Sequence, residues 1–134
     1  METQPDEIRR RPTILLAEDD NLTARLIVHR LEREGYIVEH HPDGQSALEA
    51  FQAAESGTIS LAILDVKMPR MDGFELLSRI KEDPNLSSIP VVMLTGMGAE
   101  HDVVRALTGG ADDYILKPFS PTELALRVQR LLAT

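Results

Sequence analysis

The sequence predicts an α/β fold, a single doubly wound parallel sheet of five strand–helix units, and three observations carry that expectation. From Thr13 onward short apolar runs alternate with amphipathic stretches, the pattern of parallel strands joined by helical crossovers. The runs are apolar at every position, as ILLA at 14–17 and LAIL at 61–64 are, which suits strands covered on both faces. Each run stops abruptly at polar residues, and the 134 residues suffice for one core but not for two.

The elements follow in order. Strand one, Ile14–Ala17, ends at Glu18, Asp19 and Asp20; Asn21 then caps a helix whose Ala24, Ile27, Val28 and Leu31 share one face, with Gly35 just past its end. Tyr36–Val38 is strand two, His41-Pro42-Asp43-Gly44 a turn, and Ala47, Ala50, Phe51 and Ala54 the apolar face of helix two. Leu61–Leu64 is strand three and runs into Asp65. Gly73, Leu76, Leu77 and Ile80 mark helix three, capped by Asp72, with Asp83-Pro84 and Ile89-Pro90 breaking the chain after it. Val91–Leu94 is strand four, ending at Thr95 and Gly96-Met97-Gly98. Val103, Ala106 and Leu107 give helix four a thin apolar face. Tyr114–Leu116 is strand five, and Ser120, Pro121 and Glu123 read as N-cap, first helical residue and capping-box acid of helix five, whose Leu124, Val128 and Leu131 face the core. Residues 1–12 carry charge without periodicity and are read as a flexible N-terminal arm, leaving 13–134 as the domain.

Composition removes several classes of function. Lys plus Arg is 14 against 22 Asp plus Glu, a net charge of −8 that repels phosphate backbones and anionic lipid, so neither direct nucleic-acid binding nor a membrane surface is expected. No cysteine is present, which excludes disulfides, thiolate metal sites and cysteine nucleophiles and fits a cytoplasmic protein. No apolar run is long enough for a membrane span or an export signal. Five aromatics and no Trp are too few for a flavin carrier.

Ligands of a doubly wound sheet bind beyond the C-terminal strand ends, where strand order reverses. The residues arriving there are Glu18, Asp19 and Asp20 after strand one, Asp65 after strand three, Thr95 after strand four and Lys117 after strand five. Unit charges about 4 Å apart repel by roughly 4 kcal/mol at an effective dielectric near 20, so the acids need a partner. Mg2+ (or Mn2+) fits an all-oxygen set, with Asp19 and Asp65 as ligands, the Lys67 backbone carbonyl a third, and Glu18 acting through water. A carboxylate beside such a metal is also a nucleophile toward phosphorus, the role Asp65 suits; Lys117 and Thr95 then supply donors to the transferring oxygens. Asp20 and Asn21 are read as caps, and His29, His40, His41 and His101 show no ligand spacing and receive no role.

The chain resembles the receiver domains of two-component response regulators. The matching segments are LLAEDDN with Glu18-Asp19, LDVKMPRMDGFELL with Asp65, Pro69 and Gly73, VVMLTG with Thr95, and GADDYILKPF with Lys117-Pro118, together spanning about residues 13–133. The resemblance implies a flavodoxin-like (βα)5 sheet in order 2-1-3-4-5 and an Asp65 phosphorylated, with Mg2+, from a sensor histidine kinase or histidine phosphotransfer protein. It also implies a switch in which Thr95 moves toward the phosphoryl group and Tyr114 turns inward, altering the face of helix four, strand five and helix five, and a cis Lys117-Pro118 bond. Asp112, Asp113, Glu123 and Arg127 resemble part of the ion-pair set through which some receivers form phosphorylation-dependent homodimers, although Val103 and Thr108 stand where charged partners are usual. Glu18 replaces the commoner Asp. Lys67 and Met97 border the attacking water's path, where a long cation and a bulky thioether would slow loss of the phosphoryl group. Two other readings compete: an unphosphorylated interaction module of the same fold, and a Mg2+-dependent phosphohydrolase with an aspartyl-phosphate intermediate. The second rests on the loose likeness of residues 19–23 to a dehalogenase-type phosphatase motif, and the chain lacks length for that family's cap.

Overall fold

A computed structural model describes residues 11–96 and 100–133. Five parallel strands lie in the order β2-β1-β3-β4-β5: β1 Thr13–Ala17, β2 Ile37–His41, β3 Leu61–Asp65, β4 Val91–Gly96 and β5 Asp113–Lys117. The helices are α1 Asn21–Arg33, α2 Gly44–Ala53, α3 Gly73–Glu82, α4 Glu100–Thr108 and α5 Pro121–Leu132. Both the sheet order and the five-unit architecture are as expected.

The pleat of the central strands divides the core into two layers. Leu15, Ala17, Ala62, Leu64, Val91 and Met93 face the layer that holds Phe51, Leu76, Leu77 and Ile80 from α2 and α3. Their alternates Ile14, Leu16, Leu61, Ile63, Val92 and Leu94 face Ala24, Ile27 and Leu31 of α1 and Leu124 and Val128 of α5. That two-residue alternation is why the three middle strands are apolar throughout. The chain passes to opposite sides of β1 in forming β2 and β3, so a crevice opens above the carboxyl ends of β1 and β3.

Several boundaries differ from expectation for local reasons. Asp20, not Asn21, is the N-cap of α1, its carboxylate accepting the Thr23 N–H at 2.9 Å. Gly35, at φ 98°, closes that helix: Tyr36 N–H bonds Leu31 O and Gly35 N–H bonds Glu32 O, the paired bonds of a Schellman end. β2 runs on to His41 because its backbone ladder with β1 continues to Ala17, even though its last three residues, Glu39, His40 and His41, are polar. The expected turn at residues 41–44 is the entry to α2, with Asp43 as N-cap and Gly44 already helical. Leu48 and Ala125 join the core unannounced. Conversely Leu107 and Leu116 are 47% and 43% exposed, since α4 packs through Ala106 and β5 is an edge strand. Ser120 caps α5 as expected, whereas the Glu123 carboxylate turns to Arg127. The Lys117–Pro118 bond is cis. The arm as far as residue 10, and Met97 and Gly98, lie outside the described residues; Pro12, counted with the arm, gives its carbonyl to the Ile37 N–H.

Candidate functional site: an acidic pocket at the strand ends

Glu18 and Asp19 leave β1 at the point where its neighbour β2 also ends. The Glu18 N–H donates to the His41 carbonyl at 3.0 Å, and the His40 ring nitrogen Nε2 donates to the Glu18 carbonyl at 2.7 Å. This fixes the backbone, and the Glu18 side chain is wholly buried, one carboxylate oxygen accepting the Asp20 N–H at 3.1 Å. Asp19 is exposed at the rim. His40, given no role from its spacing, therefore supports the site; the polar tail of β2 beside the acidic strand end was the available signal.

Asp65 closes β3 and is 5% exposed. Gly73 N–H bonds the Val66 carbonyl at 2.8 Å, and a Cβ on Gly73 would lie 2.2 Å from the Asp65 carbonyl oxygen. Only glycine lets α3 start this close beneath the strand end. Asp72 caps α3 through the Glu75 N–H, as expected.

Lys117, at the end of β5, reaches across the crevice, its Nζ 3.1 Å from Asp65 Oδ1 and 3.0 Å from Glu18 Oε1. Glu18, Asp19 and Asp65 each bring an oxygen within 4.8 Å of the others. Burial, then the Glu18 charge, raises the Asp65 carboxyl to about 7, with Lys117 opposing. Burial pulls the Lys117 ammonium down, but its bonds to Glu18 and Asp65 outweigh this and hold it above the usual lysine value. Two carboxylates sharing one ammonium leave an excess of negative charge, and three oxygen donors suit a hard divalent cation. The donor set thus fits Mg2+, with Asp19 and Asp65 nearest the opening.

Thr95, one residue before the end of β4, is fully buried, its hydroxyl without a hydrogen-bond partner among the described residues. A buried hydroxyl left unpaired costs stability, so this one is a donor available to a group entering the crevice. Lys67 is exposed on the loop after Asp65, lining the same cavity of about 330 Å3 as Glu18, Asp19, Asp65 and Lys117. Tyr114 is half-buried against the α2–α3 side of the core, next to Met93 in the β4–β5 register. On the far side of β5, Arg127 pairs with Asp113 at 2.7 Å and Glu123 at 3.3 Å. Asp112 stands apart from that pair, accepting the Val91 N–H at 2.8 Å, with Lys81 3.8 Å away.

This crevice, with its buried acids and lysine on a 2-1-3-4-5 sheet, defines a receiver-type fold. The family of response regulator receiver domains matches residues 14–129, and the chain belongs to that family, with a CheY-like fold and the acidic pocket of two-component signalling proteins. It is 41% identical over 127 residues, 95% of its length and 48% of the relative's, to the probable transcriptional regulator ycf27 of Galdieria sulphuraria. The chain spans about half the length of the curated relatives it matches. A putative response regulator from Chloroflexus aurantiacus superposes with a TM-score of 0.86 at 32% identity, over 93% of this chain and 100% of that one. The receiver domain of a sensor histidine kinase from Pseudomonas aeruginosa, solved with magnesium coordinated in its active-site cleft, superposes at 0.83 with 27% identity, over 92% and 99%. Among the described residues no helix is long and apolar enough to cross a membrane.

Proposed function

We propose that the domain takes a phosphoryl group onto Asp65 from a sensor histidine kinase or a histidine phosphotransfer protein and thereby switches its α4–β5–α5 face. The observation that carries this reading is the meeting of Glu18, Asp19 and Asp65 with Lys117 bonded to Asp65 at 3.1 Å. Asp19, Asp65, the Lys67 carbonyl and, through water, Glu18 would hold Mg2+ or Mn2+. When bound, the cation neutralises phosphoryl oxygens and orients the group for displacement. An Asp65 oxygen attacks phosphorus, the O–P bond forming as the donor's N–P bond breaks and its electron pair leaves with the imidazole. The Lys117 ammonium neutralises one equatorial oxygen, and the Thr95 hydroxyl donates to another. Asp65 itself is 5% exposed, and Val66 lines the pocket beside it.

With Thr95 drawn toward the phosphoryl group, space opens behind β4 for Tyr114 to turn inward. The exposed Val104, Leu107 and Leu116 form the surface such a change remodels. Asp112, Asp113, Glu123 and Arg127 border it and serve a phosphorylation-dependent homodimer; their present intrachain pairs are the bonds to be exchanged. The protein works in the cytoplasm without binding nucleic acid or membrane through this domain. Lys67 beside the pocket slows hydrolysis of the acyl phosphate, and the protein turns over no external substrate.

The test is incubation of wild type and Asp65→Asn with acetyl phosphate and with a phosphohistidine donor, each with and without Mg2+, read on a phosphate-affinity gel. Mg2+-dependent label on wild type alone is the expected result. No label from either donor would instead favour an unphosphorylated interaction module, and multiple turnover of a phosphomonoester would favour a phosphohydrolase.

A further inference from the structure

Among the described residues Arg70 is the one non-glycine residue in the left-handed region, at φ 70°. For an L-residue with a long side chain this conformation is unfavourable and persists only where the surroundings over-determine it. The surroundings here are the start of α2, which contributes nothing to the acidic pocket. The Met71 carbonyl lies so close to Gly44 that a Cβ there would sit 2.1 Å from its oxygen. Arg70 Nη1 lies 3.5 Å from Asp43 Oδ2, and the buried Asp43 is itself held by the Ser46 N–H at 2.7 Å and the Ser46 hydroxyl at 3.0 Å. At its other end the loop is pinned by Gly73 beneath Asp65. Lys67 therefore lies on a segment fastened on both sides.

We propose that the Asp43–Gly44 entry to α2 sets the shape of the Asp65–Gly73 loop, and that Arg70 is a positioning residue holding the Lys67 carbonyl and the Asp65 carboxylate at the spacing a divalent cation requires. The proposal rests on the reading of Asp65 as the phosphoacceptor. Its signature is a conflict between stability and affinity. Glycine at 70 removes the Cβ clash of the left-handed conformation but also frees the loop to leave it. Asparagine at 43 keeps the cap, since Asn and Asp cap helices about equally, while removing the charge that faces Arg70.

The test compares wild type, Arg70→Gly, Arg70→Lys and Asp43→Asn by calorimetric Mg2+ titration, urea unfolding in EDTA and Mg2+-dependent labelling with acetyl phosphate. Arg70→Gly is expected to unfold at an equal or higher urea concentration yet bind Mg2+ about three- to tenfold more weakly, at or below the low end of losses seen when support for a metal ligand is removed. Asp43→Asn shows the same direction, and Arg70→Lys restores most of the affinity. The proposal is overturned if Arg70→Gly and Asp43→Asn bind Mg2+ and label like wild type, or if affinity falls only in step with stability. A wild type that binds Mg2+ but takes label from no donor removes the phosphoacceptor reading itself, and with it the proposal.

Discussion

Replacing Asp65 by asparagine should stabilise the fold, and increasingly so as pH rises. The carboxyl is 5% exposed, and its value stands near 7 against an ordinary 3.8, because burial and the Glu18 charge outweigh Lys117. The folded chain thus binds the Asp65 proton more tightly than the unfolded chain does. Stability linked to this group is intact below the ordinary value, falls as pH climbs through the interval, and is fully lost above about 7. Three pH units at about 1.4 kcal/mol each set a ceiling of roughly 4 kcal/mol. Relaxation of Glu18 and Lys117 reduces this, and about 1–2 kcal/mol between roughly pH 5 and 8 is the expected rise in the advantage of Asp65→Asn. The assay is urea unfolding followed by far-ultraviolet circular dichroism, in EDTA, across that range. Mg2+ added at about 100 times its dissociation constant should return about 2.7 kcal/mol to wild type at the alkaline end and much less to the variant. A variant advantage flat with pH, or a variant less stable than wild type near pH 8, would refute the account of the pocket as charge-strained.

Thr95→Val, which removes a fully buried hydroxyl without a partner among the described residues, should raise stability by about 1 kcal/mol in urea unfolding while blunting the phosphorylation-dependent change in surface probes. Gly73→Ala forces a Cβ to within 2.2 Å of the Asp65 carbonyl and should cost about 2–3 kcal/mol or more, with Mg2+ affinity lost alongside, as calorimetry of the folded fraction would show. In native-state hydrogen exchange, amides of α4 should exchange faster than those of the other four helices, because Ala106 is its one buried side chain; protection equal to α1 or α3 would count against that picture.

The parallel sheet and the polar ends of its strands were legible because runs such as ILLA and LAIL admit no other face-on packing, and a strand's end fixes where its next residue points. The acidic pocket followed from the same logic, since Asp65 and Lys117 end their strands, Glu18 directly follows β1 and Thr95 is the last residue but one of β4. Less legible was whatever depended on neighbours distant in sequence. Leu107 and Leu116 match their elements' periods but face solvent, as nothing in a local window says that α4 is lightly packed or β5 an edge. His40 has no telling spacing, and its hydrogen bond exists only because β2 lies beside β1. Asp112 looks like its neighbour Asp113, yet the one ties down Val91 and the other holds Arg127. Nothing in the residue type announces a left-handed arginine at 70.

The light attachment of α4 bears on how small a trigger the domain needs. Its anchors are one buried methyl group at Ala106, a half-buried Val103 and the Arg105 guanidinium stacked 4.2 Å above the Phe74 ring. Contacts of this kind are worth on the order of 1–2 kcal/mol together, similar to a single hydrogen bond to a charged group. Under the proposed switch, one such bond gained at the end of β4 would be comparable in energy to everything that holds this helix. The three middle strands, buried on both faces, offer no comparably light contact, so α4 is the helix whose displacement would disturb the least packing.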